Sequence, residues 1–317
     1  MLSIIYWCMN YVKKGILFTY KDLKLNYIKS HAMVPSPLKI EEGVYRIYFT
    51  SRNKKNQSLI FFFDLDIRDK VKIIKISKKP VLKPGLLGCF DDNGVTPCSF
   101  VRVNKKTVYM YYIGWKPRST TRYSLMSGLA ISNDNGITFK RYSRSPILHL
   151  SDREPYSILT GPYVLKIKNK WHMWYVSCEK WVTPDIPIYN IKYASSKNGK
   201  EWSQSGRICL ETKKNERAVA RPVVYYDGNK FSMIYSYEYR KGKKKQIPSY
   251  KVGYATSKNA LNWKRFDNYF KIYPSKTGWD SQMVAYGVTL SSKKNTIFLY
   301  NGNNYGEYAI GYAKLES

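Results

Sequence analysis

Acids, arginines, tryptophans and amides stand at matched places along this 317-residue chain, and as a set they suit recognition of a sugar. Asp92 lies five residues before Pro97, Arg217 five before Pro222 and His31 four before Pro35, while Arg221 directly precedes Pro222. Asp280 lies six before Tyr286, the residue aligned with the prolines in the last copy of the same pattern. Further along each copy come Arg52, Trp115, Glu179 with Trp181, Glu238, and Asn301 with Asn303. Tryptophan faces cover apolar sugar faces, and charged or amide groups bind hydroxyls or an anionic substituent. Asp92, Asp280, Glu216 and Glu238 are the acid–base candidates. His31, Arg52, Trp115, Glu179, Trp181, Arg217, Arg221, Asn301 and Asn303 are the candidates for holding the ligand. A guanidinium forks onto carboxylate or phosphate with two parallel hydrogen bonds, so Arg52, Arg217 and Arg221 suit a sugar phosphate, a nucleotide sugar or an acidic sugar. The competing reading is internal pairing, with Glu216 or a neighbouring carboxylate as partner for Arg217 and Arg221.

The elements that must position these groups show themselves as a repeat. One strand pattern recurs in Val44–Thr50, Val108–Gly114, Trp171–Ser177, Phe231–Tyr237 and Thr296–Gly302. Its central residues, Ile47, Met110, Met173, Met233 and Phe298, are separated by 63, 63, 60 and 65 residues. Self-similarity at a fixed period sets the architecture. Each copy follows an apolar strand that opens near a proline, as at Pro35, Pro97, Pro162 and Pro222, where the missing N–H costs least. Short turns such as Asn104–Lys106 and Asp227–Asn229 join the two strands, and a third strand follows, as in Gly128–Ser132. The spacing predicts an all-β chain, a five-bladed β-propeller of about 63 residues per blade, forming a single domain over 1–317. Residues 1–30 lack the full pattern and are expected to close the ring as an outer strand of the last blade. Three turns that begin at Ser132, Ser196 and Ser257 and end on Phe139, Trp202 and Trp263 read as side-chain-capped and structural.

Composition narrows the function classes. Cys8, Cys89, Cys98, Cys178 and Cys209 are odd in number and scattered, so neither a disulfide framework nor a zinc site is indicated, and no metal or other cofactor is expected. The apolar start, Met1–Met9, is too short to span a bilayer and lacks the pattern of a signal peptide, which points to the reducing cytoplasm. No transmembrane segment is expected. Lys and Arg number 54 against 22 Asp and Glu, a net charge of +32. That excess attracts nucleic acid, anionic membranes or acidic substrates. Its lysines cluster in turns such as Lys241–Lys245, and Lys, Tyr, Ile and Asn rise together as they do in an AT-rich genome. With no DNA-reading helix in view, an anionic sugar or sugar phosphate is the favoured partner over nucleic acid.

The repeat, the proline-opened inner strands and the turns such as Ser196-Lys197-Asn198-Gly199-Lys200-Glu201-Trp202 resemble the five-bladed glycosidase superfamily typified by glycoside hydrolase family 43. The first turn, Ser132–Phe139, also resembles the Asp-box of sialidases. A narrower set, Arg52-Asn53 through Ser58, Phe90–Val95, Glu216–Pro222 and Trp279–Val284, looks like a bacterial branch associated with surface-polysaccharide synthesis. That branch resembles the N-terminal domain of glucosamine inositolphosphorylceramide transferases. The resemblance implies a carbohydrate-active protein of surface-polysaccharide metabolism, glycosidase-like or glycosyl-transfer-like if active. It also implies three carboxylates beside the strand-opening prolines, where this chain has Val34, Thr96 and Thr160. Those side chains transfer no proton at neutral pH, so two-carboxylate hydrolysis has no support from those positions. The alternatives are a non-catalytic glycan-binding propeller and, second, a basic protein that docks on nucleic acid or a membrane.

Overall fold

The computed structural model describes residues 9–239 and 249–316. The start of the apolar opening segment, with Cys8, and the basic run Lys241–Lys245 lie outside the described residues. The chain is nearly all β. Strand β1 (Met9–Thr19) is followed by a meander of β2 (Ile28–Glu41), β3 (Val44–Asn53), β4 (Ser58–Asp66) and β5 (Lys72–Ile76). The next meanders are β6 (Gly94–Arg102), β7 (Val108–Pro117), β8 (Tyr123–Ser132) and β9 (Lys140–Arg141), then β10 (Ile158–Ile167), β11 (Lys170–Thr183), β12 (Ile186–Ser196) and β13 (Ser203–Leu210). After them come β14 (Glu216–Tyr226), β15 (Phe231–Tyr239), β16 (Tyr250–Ser257) and β17 (Lys264–Arg265). The short β18 (Phe270–Lys271) precedes β19 (Ala285–Ser291), β20 (Thr296–Asn301) and β21 (Ala309–Leu315). Within each meander the pairing is antiparallel. Strand β1 pairs antiparallel with β21, from Tyr11↔Leu315 to Thr19↔Ala309.

Short parallel bridges at Ser58↔Gly94, Ile158↔Leu125 and Tyr189↔Ala218 join neighbouring meanders. Hydrogen bonding therefore runs on through a 16-stranded sheet, beside a separate 5-stranded one. The second strand of each meander is buried on both faces, as in β3 and β15, because sheets pack against it from either side. That is why these strands read as unbroken aromatic and aliphatic runs rather than as alternating ones.

Three of the buried rings carry polar tips that each find a carbonyl in the following meander. Tyr48 donates to Gly136 O at 2.6 Å, Tyr111 to Gly199 O at 2.7 Å and Trp174 Nε1 to Ala260 O at 2.9 Å. All three acceptors sit in the side-chain-capped turns. In the first of these, Ser132 Oγ accepts from Gly136 N at 2.8 Å and Asp134 Oδ1 accepts from Ile137 N at 3.0 Å. These turns are structural ties, on the edge opposite the ends of β3, β7, β11 and β15.

Candidate functional site

The first strands of the meanders pack side by side, β2 against β6 and β19, and β10 against β6 and β14. Each breaks register near its strand-opening residue, between Met33 and Ser36, Pro97 and Ser99, Thr160 and Tyr163, Ala220 and Val223, and Ala285 and Val288. These are bulges, which bend a strand and re-aim its side chains. Val34, Gly161, Arg221 and Tyr286 occupy the left-handed region there, with φ of 57°, 59°, 55° and 55°. A β-branched valine in that region is strained and needs outside support. Asn301 supplies it: Oδ1 accepts from Val34 N at 2.7 Å, and Nδ2 donates to Ala32 O at 2.8 Å and Ala309 O at 2.9 Å. Ser236 Oγ does the same for Tyr286 N at 2.9 Å.

Arg221 crosses between these strands. Its guanidinium donates to Cys98 O at 2.8 Å, Pro35 O at 3.1 Å and Ser36 Oγ at 2.8 Å, so one side chain of β14 grips both β2 and β6. Burial draws it below the ordinary guanidinium value, offset in part by Cys98 and the surrounding tyrosines. At the bulges of β2, β6 and β10 stand Val34, then Thr96, whose Oγ1 accepts the Trp115 indole N–H at 3.2 Å, and Thr160, whose hydroxyl has no hydrogen-bond partner among the described residues.

A cluster of rings packs against the first strands β10, β14 and β19. Trp115, Tyr123, Trp181, Tyr189, Tyr250, Tyr286 and Tyr305 pack with Ile158, Ala218 and Met283 in one cluster. Trp115 and Trp181 flank Tyr123 at centroid distances of 5.7 Å and 5.8 Å, and Tyr286 stacks on Tyr305 at 6.3 Å. The Tyr123 and Tyr189 hydroxyls meet at 2.5 Å. Burial pushes the phenols of Tyr123, Tyr189, Tyr250, Tyr286 and Tyr305 above the ordinary tyrosine range, so they serve as neutral donors and acceptors. Within this cluster Arg217 Nη2 donates to Glu238 Oε2. Burial alone would lower the Arg217 guanidinium, but the Tyr250 phenol and the Glu238 carboxylate outweigh it and hold it above its ordinary value.

Arg52 and His31 neighbour each other beside Tyr286 of that cluster. Arg52 makes no ion pair among the described residues and reaches only Asn56 Oδ1, at 3.4 Å. Burial draws it below its ordinary value, opposed by Glu307 and reinforced by Arg122. The buried His31 ring is pushed down to about 3 by burial and by Arg52, so it stays neutral at physiological pH. Its Nδ1 shares a 2.7 Å hydrogen bond with Ser30 Oγ.

The remaining candidate residues lie elsewhere. Asp280 is buried against Lys13 Nζ at 2.6 Å and Tyr300 OH at 3.0 Å, on the outer side of its sheet where β1 runs. Glu216 takes both terminal nitrogens of Arg265, at 2.7 Å and 2.8 Å, in the same way. The pattern recurs with Asp91, Tyr112 and Arg141, and with Glu154, Tyr175 and Lys192. A carboxylate at or just before the first strand and a cation from the third or outer strand tie each of these sheets together, and in three of them a tyrosine of the second strand joins the tie. Glu179 belongs to such a tie, 2.9 Å from Lys192 Nζ. Asp92 instead accepts from Gly88 N at 2.9 Å and Lys116 Nζ at 3.1 Å, away from the rings. Asn303 braces the loop ahead of β19 through Gln282 N and Gly278 O. Thus the Arg217–Glu238 pair shares the ring cluster with Trp115 and Trp181, and Arg52 and His31 neighbour each other beside Tyr286 of that cluster, while Asp92, Asp280, Glu216, Glu179, Asn301 and Asn303 are engaged elsewhere. The tyrosines of the cluster were not singled out from sequence. Their signal was there: Tyr123 and Tyr250 each open a third strand. Among the described residues no group of His, Cys, Asp and Glu could hold a metal ion.

The fold is that of glycoside hydrolase-type propellers. A solved structure described as "Glycoside hydrolase" superposes with a TM-score of 0.75 at 17% identity, covering 98% of this chain and 93% of its own. A putative glycoside hydrolase from Bacteroides ovatus ATCC 8483 gives 0.67 at 12% identity, with 98% and 99% covered. A structure described as "The GH130 family of mannoside phosphorylases contains glycoside hydrolases that target beta-1,2 mannosidic linkages in Candida mannan" gives 0.67 at 13%, with 99% and 95% covered. No protein-family model matches the chain. The proteins "Uncharacterized protein Rv1502" and "Uncharacterized protein MT1551", from two strains of Mycobacterium tuberculosis, are each 34% identical to it over 312 residues, 98% of this chain and 100% of theirs. The chain belongs to their family.

Proposed function

We propose that this protein is a single five-bladed propeller whose funnel binds a carbohydrate bearing an anionic group, an intermediate of surface-polysaccharide metabolism. The observation that carries this reading is the Arg217–Glu238 pair set in a wall of tyrosines and tryptophans, with the unneutralised Arg52 on its rim. Rings cover the apolar faces of a pyranose, phenols and Glu238 bind its hydroxyls, and Arg52 meets a phosphate or carboxylate. Hydrolysis by paired carboxylates fits poorly. Of the acid–base candidates only Glu238 faces the rings, and Val34, Thr96 and Thr160 hold the positions that the family 43 resemblance assigns to carboxylates. A lone acid beside cations suits ligand retention. It also suits transfer of a glycosyl group to or from phosphate, in which the phosphate itself brings the second charged group.

Isothermal titration with sugar phosphates, uronic acids and the parent neutral sugars tests the reading. An anionic sugar should bind at least about tenfold more tightly than its neutral parent, a difference of about 1.4 kcal/mol. Arg52→Ala should remove that preference, and Glu238→Gln should weaken both classes together. Equal affinity for charged and neutral sugars, unaffected by Arg52→Ala, would sink the anionic reading.

A further inference from the structure

The rim around the funnel carries a feature that sugar binding does not use. Between β5 and β6 the turn Gly85-Leu86-Leu87-Gly88 projects from the surface, with Leu86 61% and Leu87 98% exposed. Isolated surface leucines are common, but this turn is held in its projecting shape. Gly85 N donates to Asp91 O at 2.9 Å, Cys89 N to Leu86 O at 3.0 Å and Gly88 N to Asp92 Oδ2 at 2.9 Å. Lys116, at the end of β7, clamps it from below through Gly88 O at 2.8 Å and Asp92 Oδ2 at 3.1 Å. Asp92 thus has a local task, presenting two leucines to solvent.

The next rim loop adds to the same surface. The hairpin between β11 and β12 exposes Val182 at 58%, and its Pro184 O accepts from Arg122 N at 2.9 Å, which joins it to the β7–β8 loop. Lys83, Arg118, Arg122 and Lys180 are exposed around these apolar tips, and none has an ion pair among the described residues. Asp185 is the exposed acid beside them.

We infer that this rim docks on an anionic lipid bilayer, with the Leu86–Leu87 tip entering the interface and the surrounding cations meeting headgroup phosphates. The exposed Lys83, Arg118, Arg122 and Lys180 outnumber Asp185 around the tip, a charge complementary to anionic headgroups. One apolar insertion or one basic patch alone gives marginal, reversible attachment, whereas the two together hold a protein at a membrane. The whole-chain charge of +32 adds long-range attraction of the same sign. Docked this way, the funnel mouth faces the membrane surface. The inference stands on the rim loops and holds whatever sugar the funnel takes.

Co-sedimentation of the full chain with vesicles tests it. The vesicles hold about one-third phosphatidylglycerol in phosphatidylcholine, with pure phosphatidylcholine as the comparison. Binding should require the anionic lipid, and the double substitution Leu86→Ser with Leu87→Ser should weaken it by about tenfold or more. Arg118→Glu with Arg122→Glu should weaken it similarly, and both variants should keep the parent's melting temperature and tryptophan emission. Absence of binding to anionic vesicles overturns the proposal. So does binding that ignores the leucine change and matches the affinity for duplex DNA at equal salt, since that is adsorption of a polycation.

Discussion

The two most informative single residues are bases without acids, and each shows what burial does to a charge. Arg221 keeps its guanidinium inside the molecule by meeting two carbonyls and a serine hydroxyl through its terminal nitrogens, while its Nε has no hydrogen-bond partner among the described residues. His31 takes the other course and gives up its proton, ionising near about 3 when folded against an ordinary 6.5. Between those values the unfolded chain binds a proton that the folded chain does not. His31 therefore leaves stability intact above pH 6.5 and lowers it as the pH falls towards 3. His172, lowered to about 4 chiefly by burial and next by Lys170, acts with the same sign. Asparagine at position 31 tolerates the left-handed φ of 69° and does not titrate. Urea unfolding at pH 7 and pH 4.5 should show the parent losing about 2–3 kcal/mol more than His31→Asn over that interval. Parallel losses in the two proteins would mean that the ring is solvated and free to ionise.

At the scale of elements, the structure rests on side chains that bridge one sheet to the next, and Asn301 is among the most connected of them. Its three hydrogen bonds tie β20 to β2 and β21 while propping the strained backbone of Val34. Asn301→Ala should cost about 2–4 kcal/mol by leaving buried backbone groups unpaired. Asn301→Asp should cost at least as much, because a carboxylate cannot donate to Ala32 O or Ala309 O. Denaturant midpoints measure both, and a change below about 0.5 kcal/mol in either would show that water replaces the amide. The strands themselves were legible in the sequence, since a buried second strand recurring about every 63 residues leaves an unbroken apolar signature. The division of acids between ties and funnel was not. Adjacent residues can face opposite ways, so Glu216 meets Arg265 on the outside while Arg217 turns to Glu238 within, and Asp91 joins a tie while Asp92 clamps a turn. Distance from a proline could not separate such neighbours. A better signal was an acid 20 or 21 residues ahead of a second-strand tyrosine, as in Asp91–Tyr112, Glu154–Tyr175 and Asp280–Tyr300.

For the molecule as a whole, the first and last parts of the chain depend on each other. Strand β1 covers the edge of β21, an edge that would otherwise present unpaired N–H and C=O groups. It also delivers Lys13 to the buried Asp280 and stacks Tyr11 on Phe270 at 5.0 Å. The two tasks can be separated. Lys13→Met removes the charge partner alone, and leaving a buried carboxylate unpaired costs about 3–5 kcal/mol. Lys13 is itself partly exposed, so solvent recovers some of that, and about 2–3 kcal/mol is expected. Deleting residues 1–19 removes the cation, the edge cover and the ring stack together. Against the 5–15 kcal/mol typical of a folded domain, that loss should leave a protein that aggregates through the bared edge of β21. Thermal unfolding and size-exclusion chromatography distinguish the cases: a monomer melting several degrees low for Lys13→Met, and soluble aggregate or no recoverable protein for the truncation. A truncated chain that stayed monomeric with the parent's melting point would show that the sheet needs neither β1 nor its lysine, and that Asp280 is held by Tyr300 alone.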